Sequence, residues 1–220
     1  MSEQIGWGFT SMSLTRTSLV QLCRRVEAEA GPIRLLELGG GQSTLFWWAL
    51  QQLELLEMEV TTLEHHEEWA RNLQTKVASE RRMRVVKQSL RQVSEEEWAQ
   101  LFHDPLGAAA SWSRLGVTVP KAQHEWFSIR NAFYGEADQL GYAPESIDVL
   151  IVDGPHGNGR ALAFPLFCQA LNPKALVLVD DFDCYPYLDD LGRVFHYVEL
   201  YREVMGDKRS VLLQLQGMKL

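Results

Sequence analysis

Three aspartates follow apolar runs of this sequence at places where they could act as one chemical group. Asp153 follows the run Ile147–Val152, and Asp180 and Asp181 follow the run Ala175–Val179. If the two runs are neighbouring strands, their ends lie about 5 Å apart, where three ionised carboxylates repel one another. Either a proton or a cation must then lie between them, and oxygen ligands select a hard ion such as Mg²⁺. We therefore predict a metal site at these three aspartates. The alternative is that Asp181 caps a following helix and Asp153 holds its own turn.

A histidine follows the first of these aspartates within the stretch Asp153-Gly-Pro-His-Gly157. Because an imidazole has an unperturbed pKa of ~6.5, His156 suits removal of a proton near pH 7. We predict that His156 is the general base and that Asp153, three residues before it, is also a catalytic residue. The alternative is a surface loop histidine without a chemical role.

A glycine-rich turn follows an earlier apolar run. Ile33–Leu38 leads into Gly39, Gly40 and Gly41, which permit positive φ and let a ligand approach without an intervening side chain. Thr44 stands at the start of a helical run, so the layout is typical of a nucleotide-type ligand at the end of a strand. A dinucleotide motif needs glycine in place of Thr44, and a P-loop needs a lysine after the glycines, so neither motif is complete. A tight turn without a ligand is the alternative.

Glu64 ends the next strand-like run, Val60–Glu64, and precedes a helical segment, His66–Glu80. One carboxylate offers two acceptor oxygens at a fixed spacing, which matches the two donors of a vicinal diol. Its position after a strand favours binding of a ribose. The alternative is an acid that is stabilised by the dipole of the following helix.

Strands and helices alternate along the chain, which predicts a parallel sheet with right-handed crossovers. Helical patterns cover Leu14–Ala30 and Arg160–Leu171. The runs Val194–Tyr201 and Arg209–Leu215 are typical of a closing antiparallel pair around a turn.

The glycine turn, Glu64, the Asp153-Gly-Pro-His segment and Val179-Asp180-Asp181 occur in the order found in one enzyme family. From Leu35 to Asp181 the chain resembles class I S-adenosylmethionine (SAM)-dependent methyltransferases. It is most similar to small bacterial members, among them sugar and phenol O-methyltransferases that bind a divalent cation at these strand ends. The resemblance implies an α/β, Rossmann-like, doubly wound fold. Its seven-stranded sheet would be mostly parallel, with a C-terminal antiparallel strand and an insertion between strands 3 and 4.

The resemblance also implies how SAM is bound. Glu37 and the glycines would shape the pocket for the methionine end, and Glu64 would hold the ribose. Gln88 or Ser89 would border the adenine. His65, beside Glu64, could flank the adenine, and the alternative is a solvent-facing histidine at the start of a helix. The implied cofactor-binding residues are Glu37, Gly39, Gly40, Gly41, Ser43, Thr44, Glu64, His65, Ser89 and Asp153.

Residues 91–146 form the predicted insertion, which we expect to shape the substrate site. The stretch His103–Glu145 is irregular, with a hairpin expected around Gly116–Phe127. Aromatic rings here could stack on an acceptor, and an arginine could bind an acidic group on it. The alternatives are rings that form ordinary core and an arginine that is simply solvated. The substrate candidates are Trp126, Tyr134 and Arg160.

The composition suits one globular domain over residues 1–220, with an N-terminal helical segment at residues 1–31. A net charge of −8 argues against a nucleic-acid partner, and no apolar run is long enough for a membrane span. The absence of a signal pattern, with three cysteines that lack metal-ligand spacing, favours a cytoplasmic protein. We expect a small-molecule substrate, and the sequence leaves open a homo-oligomer.

Three functions are compatible with these patterns. The leading one is transfer of a methyl group from SAM by in-line displacement, with a hydroxyl oxygen as the preferred acceptor. A nicotinamide-dependent oxidoreductase is the second, although Thr44 argues against it. The third is a catalytically silent SAM-fold subunit that acts as a scaffold.

Overall fold

The computed structural model describes residues 14–26, 31–124 and 126–219. The helices are α1 (Arg16–Val26), α2 (Gln42–Gln52), α3 (Glu67–Val77), α4 (Glu95–His103), α5 (Pro105–Trp112), α6 (Ala163–Leu166) and α7 (Tyr187–Val194). The strands are β1 (Ile33–Leu38), β2 (Met58–Glu64), β3 (Met83–Lys87), β4 (Leu90–Gln92), β5 (Val117–Thr118), β6 (Ala132–Tyr134), β7 (Ile147–Val152), β8 (Leu171–Asp180), β9 (Phe195–Met205) and β10 (Lys208–Met218).

The main sheet has seven strands in the order β3-β2-β1-β7-β8-β10-β9. The first five are parallel, and β10 runs antiparallel to both β8 and β9. This arrangement confirms the predicted fold class. The chain winds outward in opposite directions from the β1–β7 junction, and ligands of such sheets bind at the carboxyl ends of the strands beside this junction.

Successive side chains of the strands belong to two separate hydrophobic clusters, one on each face of the sheet. Leu36 and Leu150 belong to one cluster, and Leu35 and Val149 to the other. Strands that are covered on both faces need nearly continuous apolar sequence, which explains why β1 and β7 were recognisable without their neighbours.

The insertion is more ordered than the sequence indicated. It contains α4, α5 and a small sheet in the order β5-β4-β6. The predicted hairpin around Gly116–Phe127 is wrong, because Val117 and Thr118 pair with Gln92 and Arg91 of the earlier strand β4. The chain after Pro120 then forms a 3₁₀ turn instead of a returning strand.

Two predicted helices are shorter than expected. The segment Arg160–Leu171 holds the end of a 3₁₀ turn and the single turn of α6, and Leu171 already belongs to β8. Pro165 has no N–H, so it fits only the first turn of a helix. Helix α1 covers Arg16–Val26, and residues 27–30 of the predicted helix lie outside the described residues. No helix in the described part of the chain has the length and apolar character needed to cross a membrane.

Candidate active site

A cavity of about 780 Å³ lies at the carboxyl edge of the main sheet. Its wall passes the ends of β2, β1, β7 and β8, and includes Glu64, Gly40, Asp153 and Asp180. Each of these residues follows or ends a parallel strand, so the sheet itself brings them together.

The glycine turn after β1 crosses the loop after β7 in direct backbone contact. Gly39 has φ of +91°, and a Cβ at this position would lie 2.8 Å from the amide nitrogen of Gly154. The buried hydroxyl of Tyr134 donates to the carbonyl of Leu63, 3.0 Å away, and packs against Gly154 at the same crossing. Glycine is therefore required at position 39 by both the backbone conformation and the lack of space.

Glu64 holds the turn from the side of β2. Its Oε2 accepts from the amide of Gly40 at 2.8 Å, and its Oε1 accepts from the amide of His66 at 2.6 Å. Burial raises the pKa of Glu64, while these hydrogen bonds act in the opposite direction. Each carboxylate oxygen keeps acceptor capacity for a ligand on the cavity side.

Asp153 and Asp180 come side by side because Val152 and Val179, the preceding residues, are paired across β7 and β8. Burial raises the pKa of Asp153 to about 6 and, with the nearby carboxylates, that of Asp180 to about 9. At neutral pH, Asp180 is therefore the protonated partner, and it donates a hydrogen bond to the Asp153 carboxylate.

The buried guanidinium of Arg160 supplies the positive charge beside this pair. Its Nε donates to the carbonyl of Pro155 at 2.8 Å, and its Nη1 lies 3.4 Å from the backbone oxygen of Asp180. Proximity to Asp153 raises the pKa of Arg160 against the effect of burial, so the side chain stays charged. A shared proton and a guanidinium thus relieve the repulsion between the carboxylates.

The predicted Mg²⁺ site does not fit this arrangement. Among the described residues, no group of three or more His, Cys, Asp or Glu side chains is placed to hold a metal ion. The buried, positively charged Arg160 lies beside the Asp153 carboxylate and competes with a cation for it. The alternative for Asp181 is also wrong, because α7 begins at Tyr187 after Pro186.

His156 lies on the wall beyond Asp153, where its ring contacts two other rings. It packs on Phe127 with 4.2 Å between centroids, and it meets His65 edge-on at 6.0 Å. His156 is half-buried, so the ring is held in place while it remains accessible from the cavity.

Residues 36–182, about two thirds of the chain, match a family model described as a methyltransferase domain. The chain belongs to the class I SAM-dependent methyltransferases. A comparison of the sequence with curated proteins found no match.

Solved structures show the same fold as this methyltransferase. The yhhF protein of Escherichia coli, described as a proposed methyltransferase, has a TM-score of 0.52 at 14% identity, with 92% of this chain and 88% of that chain covered. HI0767 of Haemophilus influenzae, described as a proposed methylase, has a TM-score of 0.51 at 17% identity, with 93% and 98% covered. At these identities the similarity concerns the fold alone.

The cavity wall of the methyltransferase collects most of the residues that the sequence singled out. The predicted residues on the wall are Gly39, Gly40, Gly41, Ser43, Glu64, His65, Asp153, His156, Arg160, Asp180 and Asp181. The predicted residues that do not line it are Glu37, Thr44, Ser89, Trp126 and Tyr134.

Glu37 and Thr44 support the glycine turn from behind instead of facing the cavity. The fully buried Glu37 carboxylate accepts from Thr44 Oγ1 at 2.5 Å, from Thr62 Oγ1 at 2.7 Å and from Trp47 Nε1 at 3.2 Å. Burial raises its pKa, and these donors oppose the rise. The acid therefore ties α2 to β1 and β2, and it sets the position of the turn.

The cavity ends before β3, which leaves the expected adenine contact at Ser89 outside it. The carbonyl of Ser89 accepts from Gly135, and the side chain of Gln88 pairs with the backbone of Glu136. Of the substrate candidates, Trp126 does not line the cavity, whereas its neighbour Phe127 does.

Two residues that shape the site were missed in the sequence. Trp69 lines the cavity, and its Nε1 donates to the carbonyl of Gly40 at 2.6 Å. Tyr187 donates to the carbonyl of Gly157 at 2.7 Å and holds the loop after β7. Their only signal was an aromatic residue near the start of a helix, which is too common to indicate a site.

Replacement of Gly39 by alanine is expected to destabilise the protein by roughly 2–3 kcal/mol, because the new Cβ would clash with backbone at positive φ. Thermal unfolding should show a Tm lower by roughly 5–10 °C. Gly41→Ala is the matched control: a Cβ at position 41 meets no atom within 4 Å, and φ is −176°, so the Tm should stay near that of the wild type. Equal Tm values for both variants would contradict the crossing described above.

The acid pair predicts that stability falls as pH rises. Because folding raises the pKa of Asp180 from 3.8 to about 9, the unfolded chain loses this proton first as pH rises above about 4. Its contribution is complete below that pH and is lost by about pH 9. Asp180→Asn keeps a neutral donor at all these pH values. The Tm of the variant minus that of the wild type should therefore be larger at pH 8.5 than at pH 5, by at least about 2–4 °C. Asp183→Asn, at an exposed position, is the control. Parallel Tm curves for wild type and Asp180→Asn would refute the shared proton.

Proposed function

We propose that this methyltransferase transfers the SAM methyl group to a hydroxyl oxygen of a small-molecule acceptor, with His156 as the general base. The observation that supports it is one cavity whose wall includes the glycine turn and Glu64 together with His156 and the acid pair. The turn and Glu64 suit a nucleoside donor, and His156 with the acid pair suits removal of a proton.

The residues present fit SAM. The two Glu64 oxygens would accept from the ribose hydroxyls, Gly41 leaves open space beside the turn, and Asp153 bounds the middle of the cavity. When bound, SAM supplies an electrophilic methyl group on a positively charged sulfur. The protein's main task is then to hold the acceptor oxygen in line with that methyl group, since orientation alone can account for much of a rate acceleration.

His156 would take the proton of the acceptor hydroxyl while that oxygen's electron pair forms the new bond to carbon, with S-adenosylhomocysteine as the leaving group once the carbon–sulfur bond breaks. The contact with Phe127 fixes the plane of the imidazole, so the accepting nitrogen is oriented before the acceptor enters. Asp153, ionised beside the protonated Asp180, would stabilise the positive charge that His156 acquires.

The wall beyond Asp153 favours a planar acceptor, such as a phenol. Phe127, Tyr185 and Tyr187 present rings to this part of the cavity, and Arg160 lies among them. Aromatic side chains bind flat ligands through stacking and edge contacts. A sugar hydroxyl is the competing acceptor, because the same wall carries carboxylates that could accept hydrogen bonds from it.

The test uses the purified protein of 220 residues. Calorimetry with S-adenosylhomocysteine (SAH) should show binding, and isotope-labelled SAM offered with panels of phenols, sugars and amines should label a phenol. Labelling of an amine alone would refute oxygen as the acceptor. Binding of SAH without transfer to any acceptor would favour the silent scaffold, and a thermal shift with NAD but not SAH would favour the oxidoreductase.

A further inference from the structure

His65 lies beside Glu64 in the cavity wall, and its proton position can be assigned from its contacts. The residue is 8% exposed, and its Nε2 lies 3.1 Å from the carbonyl oxygen of His124. A carbonyl oxygen can only accept, so Nε2 carries the hydrogen and donates it. In the neutral ring, Nδ1 is therefore a bare acceptor.

That acceptor has no hydrogen-bond donor among the described residues. His65 Nδ1 is buried, and its nearest charged neighbour is Glu64 Oε1 at 3.3 Å, which is an acceptor itself. Burial, with His156 and His124 nearby, lowers the pKa of His65 to about 4, so the ring stays neutral and no ion pair forms with Glu64. One donor from a bound ligand would satisfy both of these acceptors.

We propose that His65 Nδ1 and Glu64 Oε1 share one hydroxyl of the cofactor's ribose, which makes His65 a residue that selects for the intact diol. This inference rests on the proposed placement of the ribose at Glu64. Each Glu64 oxygen already accepts one backbone amide, from Gly40 or His66. The additional acceptor on His65 therefore adds hydrogen-bond acceptor capacity at the place where a diol brings two donors.

The insertion determines the orientation of the His65 ring in the cofactor site. The His124 carbonyl, which orients His65, belongs to a segment held by the contact of His124 Nε2 with Val119 O at 3.1 Å. The same segment is tied to α3 by an ion pair between Lys121 and Glu67 at 3.0 Å. A part of the chain expected to serve only the substrate thus fixes the tautomer of a cofactor-binding residue.

A double-mutant cycle between His65 and the ribose tests the proposal. Calorimetry would compare SAH with its 2′-deoxy and 3′-deoxy analogues on the wild type and on His65→Phe. In the wild type, loss of one particular hydroxyl should weaken binding by about tenfold. In His65→Phe the affinity for SAH should drop about as far, and removal of that hydroxyl should then cost much less. His103→Phe, at an exposed helix end, should behave as the wild type.

A purely structural role for His65 would weaken SAH and both analogues equally, and that result would overturn the inference. Should His65→Phe fail to fold, ¹⁵N NMR of the wild-type imidazole decides. The Nδ1 resonance should report an unprotonated nitrogen and shift on addition of SAH, but not on addition of the deoxy analogue that lacks the shared hydroxyl. An unmoved resonance with bound SAH would refute the shared donor alone. Absence of any SAH binding would instead refute the proposed function as well.

Discussion

Replacement of His156 by alanine should lower turnover by about 10²- to 10⁴-fold and leave the affinity for SAH almost unchanged. The ring lies on the cavity wall and meets His65 edge-on at 6.0 Å, but it is not among the residues that we propose to bind the cofactor. Its loss removes the proposed proton acceptor, while the acid pair and Arg160 remain to position the acceptor. Methyl-transfer kinetics and calorimetry with SAH measure the two quantities separately.

The matched control is His196→Ala, because His196 is exposed on β9 and does not line the cavity. Its turnover should equal that of the wild type. A His156→Ala variant with weakened SAH binding and normal turnover would assign this histidine to the cofactor. An unchanged Tm would show that the loss of contact with Phe127 has not disturbed the loop.

Glu64→Gln should weaken SAH binding by roughly 10- to 100-fold, which corresponds to about 1–3 kcal/mol for unpaired or weakened buried hydrogen bonds. Both carboxylate oxygens accept backbone amides, from Gly40 and His66. The amide group of glutamine has one oxygen, so one of these donors must lose its acceptor. The negative charge that strengthens hydrogen bonds from a ribose is lost as well.

Glu68→Gln is the control for this substitution, because Glu68 is exposed on α3 and does not line the cavity. Calorimetry should show wild-type affinity for SAH in that variant. Glu64→Gln with undiminished affinity would place the ribose elsewhere in the cavity. A Tm measured with each variant separates loss of the ligand contact from loosening of the glycine turn.

The fold could be predicted because its signals are local. A strand that is buried on both faces must be apolar along its whole length, so β1 and β7 were visible in the sequence. The glycine turn was equally visible, because positive φ and close backbone contact leave glycine as the residue that fits position 39. The insertion was harder, because the partner of Val117 and Thr118 is a strand about 25 residues earlier in the chain.

The candidate site was predicted in position but not in chemical state. The positions of the predicted strand ends indicated that Asp153, Asp180 and Glu64 would lie close together, since parallel strands end at one edge of the sheet. The protonation of the two aspartates depends on burial and on neighbouring charges, which raise the pKa of Asp180 to about 9 and arise only when the chain folds. Glu37 shows the same limit: the motif marked it for the cofactor, but folding surrounds its carboxylate with donors that include Thr44, Thr62 and Trp47.

The sequence alone thus determined the order of strands and helices, the glycine turn and the strand-end acids, because each of these follows from hydrophobic pattern and backbone geometry within a few residues. The tertiary structure decided the protonation of Asp180, the tautomer of His65 and the extent of the cavity. These properties depend on the solvent exposure of a group and on partners that lie far away along the chain, and both come into being only when the sheet and the insertion pack together.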